Sequence, residues 1–273
     1  IGLSRLGHPV EYLTRLGDDP FGHYIENTLK KNEIGTSLVT YDDVYRTGIQ
    51  LKNRVTDGSD PYAPYYRKGS AASHITVSEI DAINLADVEL VHVTGIPPAL
   101  SQSAREATFR LMDRAKENGI FITFDPNLRP ALWEDEETMC TVINQLAAKA
   151  DVVLPGIGEC KILAGTEDKK EAADFYQKLG VKTVIIKDGS KGAYVQNADE
   201  NYNVAGYKVE KVVDTVGAGD GFAVGVLSGI LEGLDLKTSV KRGNAIGAIQ
   251  VMNIGDNEGL PTPEELKAFQ ESN

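Results

Sequence analysis

The order of hydrophobic and polar positions divides the chain into regions with two different sequence patterns. From Ser78 onward, short apolar runs alternate with amphipathic segments of helical period, a pattern typical of parallel strands joined by helices. Between Thr36 and Ala72, short stretches rich in Val, Tyr and Thr are separated by Asp, Gly and Pro, with no strong helical period. That sequence pattern favours a small β-sheet. We therefore predict an α/β fold of three layers, a mostly parallel sheet flanked by helices, with a small inserted β-sheet.

The same patterns predict the individual elements. Asp19 is a suitable N-cap for a helix that has Pro20 at its first position. We predict strands at 10–16, 37–41, 47–55, 62–67, 90–93, 120–125, 152–154, 183–187, 192–196 and 201–204. We predict helices at 21–31, 78–85, 101–118, 134–149, 157–164, 169–179, 219–231, 236–253 and 263–270.

The first residues are typical of the end of a helix. Leu3 and Leu6 share one face, and Gly7 stands where a left-handed C-terminal cap belongs. Since the first residue is Ile1 and not Met, we expect a segment to precede it in the complete protein.

Composition narrows the function classes. The 273 residues carry a formal charge of −12, and an acidic surface disfavours binding to nucleic acid or to an anionic membrane. Two cysteines cannot form a disulfide framework, which indicates a reducing compartment. The four histidines show no metal-ligand spacing, and no apolar run approaches the ~18 residues of a membrane span. We expect a cytoplasmic protein.

The segment with the most specific chemistry is Gly217-Ala218-Gly219-Asp220, followed by an apolar helix. Small residues at a helix start let backbone N–H groups converge on an anion, and the helix dipole adds positive charge there. Asp220 has an ordinary interpretation as a helix cap. It has a functional one as a base that accepts a proton from an attacking hydroxyl. The segment is neither a Walker A loop nor a dinucleotide fingerprint.

Residues 214–222, Asp-Thr-Val-Gly-Ala-Gly-Asp-Gly-Phe, resemble the C-terminal signature of the ribokinase-like (PfkB-type) carbohydrate kinases. Residues 15–22 are similar to that family's N-terminal region, and 36–72 to its substrate lid. The resemblance implies an α/β core of residues 1–35 and 73–273 that binds ATP and substrate. It also implies that Asp220 is the catalytic base and that the amides of Gly217, Ala218 and Gly219 form the anion hole.

Further site residues follow from the resemblance. Glu159 matches the Glu of an Asn-x-x-Glu motif that organises Mg²⁺ through water, although Gly156 stands where Asn is expected. As plain structure, Glu159 is a first-turn acid that the helix dipole favours. The closing loop at 255–262 resembles one that holds a monovalent cation, K⁺, in several relatives. Residues expected near ATP are Lys187, Gly189, Ser190, Gly192 and Asn244, the last of which is equally suited to a packing role.

The substrate side is indicated by two segments. Tyr65 and Arg67, at the end of the lid, and Arg129, after a central strand, resemble the substrate-binding residues of 2-keto-3-deoxygluconate kinases. Arginine suits bidentate binding of a carboxylate. The ordinary interpretations are lid packing for Tyr65, edge-strand solubility for Arg67 and an ion pair between Arg129 and Asp125.

The chain differs from those kinases at one lid position, and one motif of the family is not found within it. Gln50 stands where those kinases carry an aromatic residue. The Gly-Gly-x-x-x-Asn substrate motif of the family is expected before Ile1.

We therefore interpret the chain as an ATP-dependent sugar-acid kinase, with 2-keto-3-deoxygluconate as the expected substrate. One alternative is a fructokinase or ribokinase with a neutral sugar. The other is a sugar sensor without turnover, which retention of Asp220 disfavours because sensing needs no base. Relatives pair through their lids, so we expect a homodimer or a higher homo-oligomer.

Overall fold

Ten strands form three sheets in the part of the chain that the structure, a computed structural model, describes: residues 1–51 and 64–273. The strands are β1 Thr14–Gly17, β2 Val39–Asp42, β3 Ile49–Gln50, β4 Tyr65–Tyr66, β5 Leu90–Thr94, β6 Phe121–Asp125, β7 Val152–Val153, β8 Thr183–Lys187, β9 Ala193–Gln196 and β10 Asn201–Val204. The central sheet has the order β10-β9-β8-β7-β6-β5. Strands β5 to β8 run parallel, and β9 and β10 are antiparallel to their neighbours. The predicted mostly parallel sheet is confirmed.

Helices follow the strands as the alternating pattern predicts. They are α1 Gly2–Arg5, α2 Pro20–Lys31, α3 Val77–Asp81, α4 Pro97–Leu100, α5 Gln102–Glu117, α6 Glu136–Ala147, α7 Ile157–Leu163, α8 Lys169–Lys178, α9 Ala218–Leu231, α10 Leu236–Val251 and α11 Pro263–Ser272. The side chain of Asp19 caps α2 by accepting from the N–H groups of Phe21 and Gly22. Among the helices of the described residues, none has both the length and the apolar character needed to cross a bilayer.

The core lies on both faces of the central sheet. In β8, Val184 and Ile186 pack in the cluster that includes α5, α6 and α8, whereas Ile185 between them packs in the cluster that includes α9. This alternation is the two-residue period of a strand covered on both faces. It produces the three layers that the sequence predicts.

Two small sheets stand beside the central one. Strands β1 and β2 are parallel, with Thr14 opposite Val39. Strands β3 and β4 are antiparallel, with Gln50 opposite Tyr65. They occupy the predicted strands at 47–55 and 62–67, whose remaining parts within 52–63 lie outside the described residues. The division into core and lid at residues 36 and 72 stays a prediction.

Two local expectations have different outcomes. Gly7 has the predicted left-handed backbone, with φ of 89°. The predicted strand at 10–16 is wrong in its first half, where Glu11 forms only an isolated bridge to Gly35. The reason is that Gly35 follows directly on the turn after α2, so only one residue there is placed to pair with this segment.

Candidate active site

A buried ion pair joins the carboxyl ends of two parallel strands. Asp125 is the last residue of β6 and Lys187 the last of β8, and their Oδ2 and Nζ atoms lie 2.5 Å apart. The Asp125 side chain is only 3% exposed. Its other oxygen accepts the N–H of Asn127 at 3.1 Å. The pair therefore connects the loop after β6 to the end of β8.

The start of α9 forms a cradle next to this pair. Gly217 precedes the helix with φ of 77°, and a Cβ there would lie 3.0 Å from Gln250 Nε2 and 3.1 Å from the Cα of Asp256. Glycine is thus required both by the backbone conformation and by the space. Lys187 Nζ lies over Gly219, since a Cβ placed there would be 3.7 Å from it, an ordinary contact distance. First-turn amides and a lysine ammonium together suit an anion.

Asp220 lies in the first turn of α9 and is exposed to solvent. Crowding by protein atoms raises the pKa of Asp220 above its ordinary value, and the Asp125 carboxylate raises it further, while Lys187 and Arg129 lower it less. Asn127 Nδ2 lies 3.4 Å from Asp220 Oδ1. A carboxylate with a raised pKa beside an anion cradle is suited to accept a proton.

Glu159 connects two loops through backbone hydrogen bonds. Its Oε1 accepts the N–H of Leu128 and its Oε2 the N–H of Gly156, both at 2.7 Å. Burial raises the pKa of the Glu159 carboxyl, and Lys187 partly offsets that effect. Gly156, the N-cap of α7, contributes only its backbone. Glu159 thus holds the loop after β6 against α7, and its predicted link to Mg²⁺ through water stays a prediction.

Arg67 stands on the small sheet of β3 and β4 in a defined geometry. Its Nη2 donates to Gln50 Oε1 at 2.7 Å, and its guanidinium carbon lies 5.2 Å from the centre of the Tyr65 ring. Burial lowers the pKa of Arg67, the Tyr65 side chain raises it, and the positive charge of Arg129 lowers it. The two arginines therefore act on each other electrostatically. Gln50, where an aromatic residue was expected, orients Arg67.

Arg129 makes no ion pair with Asp125 within residues 1–51 and 64–273, so the structural interpretation of Arg129 is wrong. The reason is that Asp125 is already paired with Lys187. Arg129 Nη1 donates instead to the carbonyl of Leu128 at 2.8 Å. Its positive charge lowers the pKa of both Arg67 and Asp220.

The residues expected near ATP fall into two groups. Lys187 lies at the anion cradle, and Gly189 and Gly192, with φ of 53° and 95°, form the turn between β8 and β9 together with Ser190. Asn244 is buried in α10, where its Nδ2 donates to the carbonyls of Val204 and Ala205. That packing role occupies its amide nitrogen. An ATP contact for Asn244 stays a prediction.

Sequence reasoning missed four residues of this cleft. Asp125 was considered only as a partner of Arg129, and Asn127 was not singled out although it follows a central strand. Tyr12 and Asp256 both act electrostatically on Arg67, and Asp256 also acts on Asp220. For Asp125 and Asn127 the signal was available, since polar residues just after a parallel strand line the usual ligand site. For Tyr12 no sequence pattern indicated a role, and Asp256 was considered only as part of the loop at 255–262 that resembles a cation-binding one.

Comparisons with known proteins identify the family and the fold. A family model described as pfkB family carbohydrate kinase matches residues 1–263. The 2-dehydro-3-deoxygluconokinase of Bacillus subtilis (strain 168) is 46% identical over 269 residues, which are 98% of this chain and 83% of that protein. The structure of a PfkB protein from Polaromonas sp. JS666 has 43% identity and a TM-score of 0.88, covering 98% of this chain and 86% of that one. The fructokinase of Vibrio cholerae O395, solved with fructose, ADP and calcium ion, has 29% identity and a TM-score of 0.89, covering 98% of this chain and 87% of that one.

The ion pair between Asp125 and Lys187 leads to a stability prediction. Lys187→Met leaves a buried carboxylate without its cation, so we expect the free energy of unfolding to fall by about 3–5 kcal/mol. Urea denaturation at pH 7 measures it. Asp125→Asn combined with Lys187→Met removes both charges and should recover most of the loss. The matched control is Lys182→Met, because Lys182 pairs with Asp151 at the surface and is 78% exposed, so its loss should leave the free energy of unfolding almost unchanged. Equal losses in the two single variants would contradict a structural role for the buried pair.

Proposed function

The chain belongs to the pfkB family of carbohydrate kinases, and on that premise we propose that it transfers a phosphoryl group from ATP to a sugar acid. The proposed substrate is 2-keto-3-deoxygluconate, also called 2-dehydro-3-deoxygluconate, which is phosphorylated at its primary hydroxyl to the 6-phosphate. The observation that carries the choice of an acid is the 46% identity, over 98% of this chain, with the 2-dehydro-3-deoxygluconokinase of Bacillus subtilis (strain 168). Arg67, which Gln50 orients and the Tyr65 ring stacks against, supports a substrate that carries a carboxylate.

Asp220 is the proposed catalytic base. It accepts the proton of the primary hydroxyl while the hydroxyl oxygen forms a bond to the terminal phosphorus of ATP. The bond between that phosphorus and the bridging oxygen breaks, and ADP leaves with the electron pair. The amides of Gly217, Ala218 and Gly219 and the ammonium of Lys187 stabilise the negative charge on the transferred group.

Magnesium is the proposed divalent ion. Among the described residues, no group of three or more His, Cys, Asp or Glu side chains is arranged to hold a metal. Mg²⁺ is usually bound by one or two carboxylates together with substrate phosphates and waters. Glu159 is the carboxylate we propose to hold its water shell. The ion, when bound, neutralises charge on the phosphates. We also propose a monovalent cation, K⁺, at the loop of residues 255–262.

Arg67 and Arg129 are the proposed carboxylate ligands, and Tyr65 supports Arg67 by stacking. Gln50 already occupies one donor of Arg67, so the guanidinium keeps its other N–H groups for the substrate. The alternative substrate is a neutral sugar, as in the fructokinase and ribokinase relatives. Two arginines near one cleft disfavour it, since a neutral sugar gives them no anion to bind.

The proposal also includes a homodimer that forms through the small sheet of β3 and β4. Strands β3 and β4 form a two-stranded sheet, which is marginal in water by itself. Leu51 and Tyr66 are 55% and 58% exposed at that sheet. We propose that a second copy of the chain covers this surface in a homodimer. The cytoplasmic location stays a prediction.

Asp220→Asn should abolish most turnover without loss of stability. General-base catalysis contributes ~10²–10⁴-fold, so kcat with ATP and 2-keto-3-deoxygluconate should fall by about that factor while ATP affinity, measured by calorimetry, is retained. Because the folded-state pKa of Asp220 is raised, the folded protein holds this proton more tightly than the unfolded chain. The ionised carboxylate therefore costs stability once the pH exceeds the folded-state pKa. Thermal denaturation at pH 7 should give the Asn variant a Tm equal to or above that of the wild type. Turnover within a factor of a few of wild type would reduce Asp220 to a helix cap.

Arg67→Ala should penalise an acid sugar far more than a neutral one. A charge-assisted hydrogen bond contributes about 1.5–3 kcal/mol, so kcat/KM for 2-keto-3-deoxygluconate should fall by about 10- to 150-fold. Residual turnover of fructose should change little, because fructose has no carboxylate. Steady-state kinetics with both sugars measure the ratio. If both activities fall equally, the carboxylate assignment fails and the fructokinase alternative becomes the better one.

Tyr66→Glu should dissociate the proposed dimer. A charge at the centre of an apolar contact between two lids has no partner there and must be desolvated. Sedimentation velocity at micromolar concentration should show a dimer for the wild type and a monomer for the variant. Tyr24→Glu is the matched control, since Tyr24 is an exposed aromatic residue on α2. A wild-type monomer would refute the dimer.

A further inference from the structure

Asn127 has an unusual backbone conformation at the edge of the cleft. Its φ is 40°, and among the described residues other than glycine only Glu33, with φ of 56°, shares the left-handed region. Asn tolerates this region better than most residues. Such a conformation persists only where the surroundings enforce it, and it is often associated with function.

Three contacts enforce the conformation of the loop. Asp125 Oδ1 accepts the N–H of Asn127, and Glu159 Oε1 accepts the N–H of Leu128. On the opposite side, Gly95 packs so closely that a Cβ there would lie 2.0 Å from the carbonyl oxygen of Pro126. The loop backbone is therefore held by Asp125 at the end of β6 and by residues of two other segments, Glu159 and Gly95.

The side chain of Asn127 extends toward Asp220. Its Nδ2 lies 3.4 Å from Asp220 Oδ1, a contact at the long end of hydrogen bonding. Hydrogen bonds of catalytic groups are often long without substrate and shorten in the reactive complex. The nitrogen end of the amide must face Asp220, because an ionised carboxylate only accepts hydrogen bonds.

We propose that Asn127 is a positioning residue for the catalytic base: its amide holds one oxygen of Asp220 and leaves the other free to accept the substrate proton. This inference rests on the proposed function of Asp220. Asn127 also connects the two ends of the substrate, because Arg129 lies two residues further along the same loop. A shift of this loop would thus move a proposed carboxylate ligand together with the amide that holds the base.

Charged groups around Asp220 determine how its pKa responds when the side-chain amide of Asn127 is removed. Asp125 and Asp256 disfavour its ionised form, and Lys187 and Arg129 favour it. The side-chain amide of Asn127 donates a hydrogen bond to the ionised carboxylate of Asp220. Removing that amide therefore takes away one contact that favours the ionised form. We expect the carboxylate to titrate at a higher pH without it.

The experiment compares Asn127→Gly and Asn127→Asp with wild type. Glycine retains the left-handed backbone and loses the amide, so backbone strain is not introduced. We expect kcat to fall about 10-fold with KM changed less than about 3-fold, and the acid limb of the kcat profile to move up by about one pH unit. Asn127→Asp, which adds a carboxylate next to Asp220, should shift the limb further. Glu33→Gly is the matched control, as it changes the other left-handed residue, and its kinetics should equal those of wild type.

A second measurement does not depend on turnover. Carbon-13 NMR of the aspartate carboxyl groups, with Asp220 assigned by loss of its signal in Asp220→Asn, follows its titration directly. An upward shift in Asn127→Gly supports the proposal even if no sugar acid is phosphorylated, in which case only the proposed substrate fails. An unchanged Asp220 titration, or a kcat within about 2-fold of wild type in Asn127→Gly, would overturn it.

Discussion

The ion pair between Asp125 and Lys187 is the interaction on which the site depends. It joins the ends of β6 and β8, two strands that are not neighbours in the central sheet. A carboxylate this buried is stable only with a cation and hydrogen bonds around it. Because one of its oxygens also accepts the Asn127 N–H, the same carboxylate sets the conformation of the substrate loop. The lysine it holds lies beside the start of α9, where the transferred phosphoryl group is proposed to bind.

Net charge alone does not describe the candidate site. The protein carries a formal charge of −12, and the site holds Asp125, Glu159, Asp220 and Asp256 as well as Lys187, Arg129 and Arg67. At short range and partial burial these charges are screened much less than charges on the outer surface. What the site offers an anion therefore depends on where each positive group lies and on the start of α9, and not on the sum of the charges.

The site accepts several unfavourable features that a purely structural region would avoid. The pKa of Asp220 is raised beside a second carboxylate, and Asn127 has a left-handed backbone. Glu159 is half-buried, its pKa is raised, and it accepts hydrogen bonds from two backbone amides. A raised carboxyl pKa and a left-handed backbone each cost stability on their own. Such costs are common where a protein trades stability for function.

The sequence by itself determined the α/β layers, the order of the elements and the Gly-Ala-Gly-Asp cradle, because these depend on local periodicity and on glycine at the start of a helix. It also indicated Arg67 and Arg129 through a resemblance. Only the tertiary structure decided which side chains of the site contact each other. Sequence spacing carries no information on which side chains meet across 62 positions, the separation of Asp125 and Lys187, or across 93 positions, the separation of Asn127 and Asp220. Those contacts arise when strand ends converge at one edge of a parallel sheet, a consequence of how the whole chain packs.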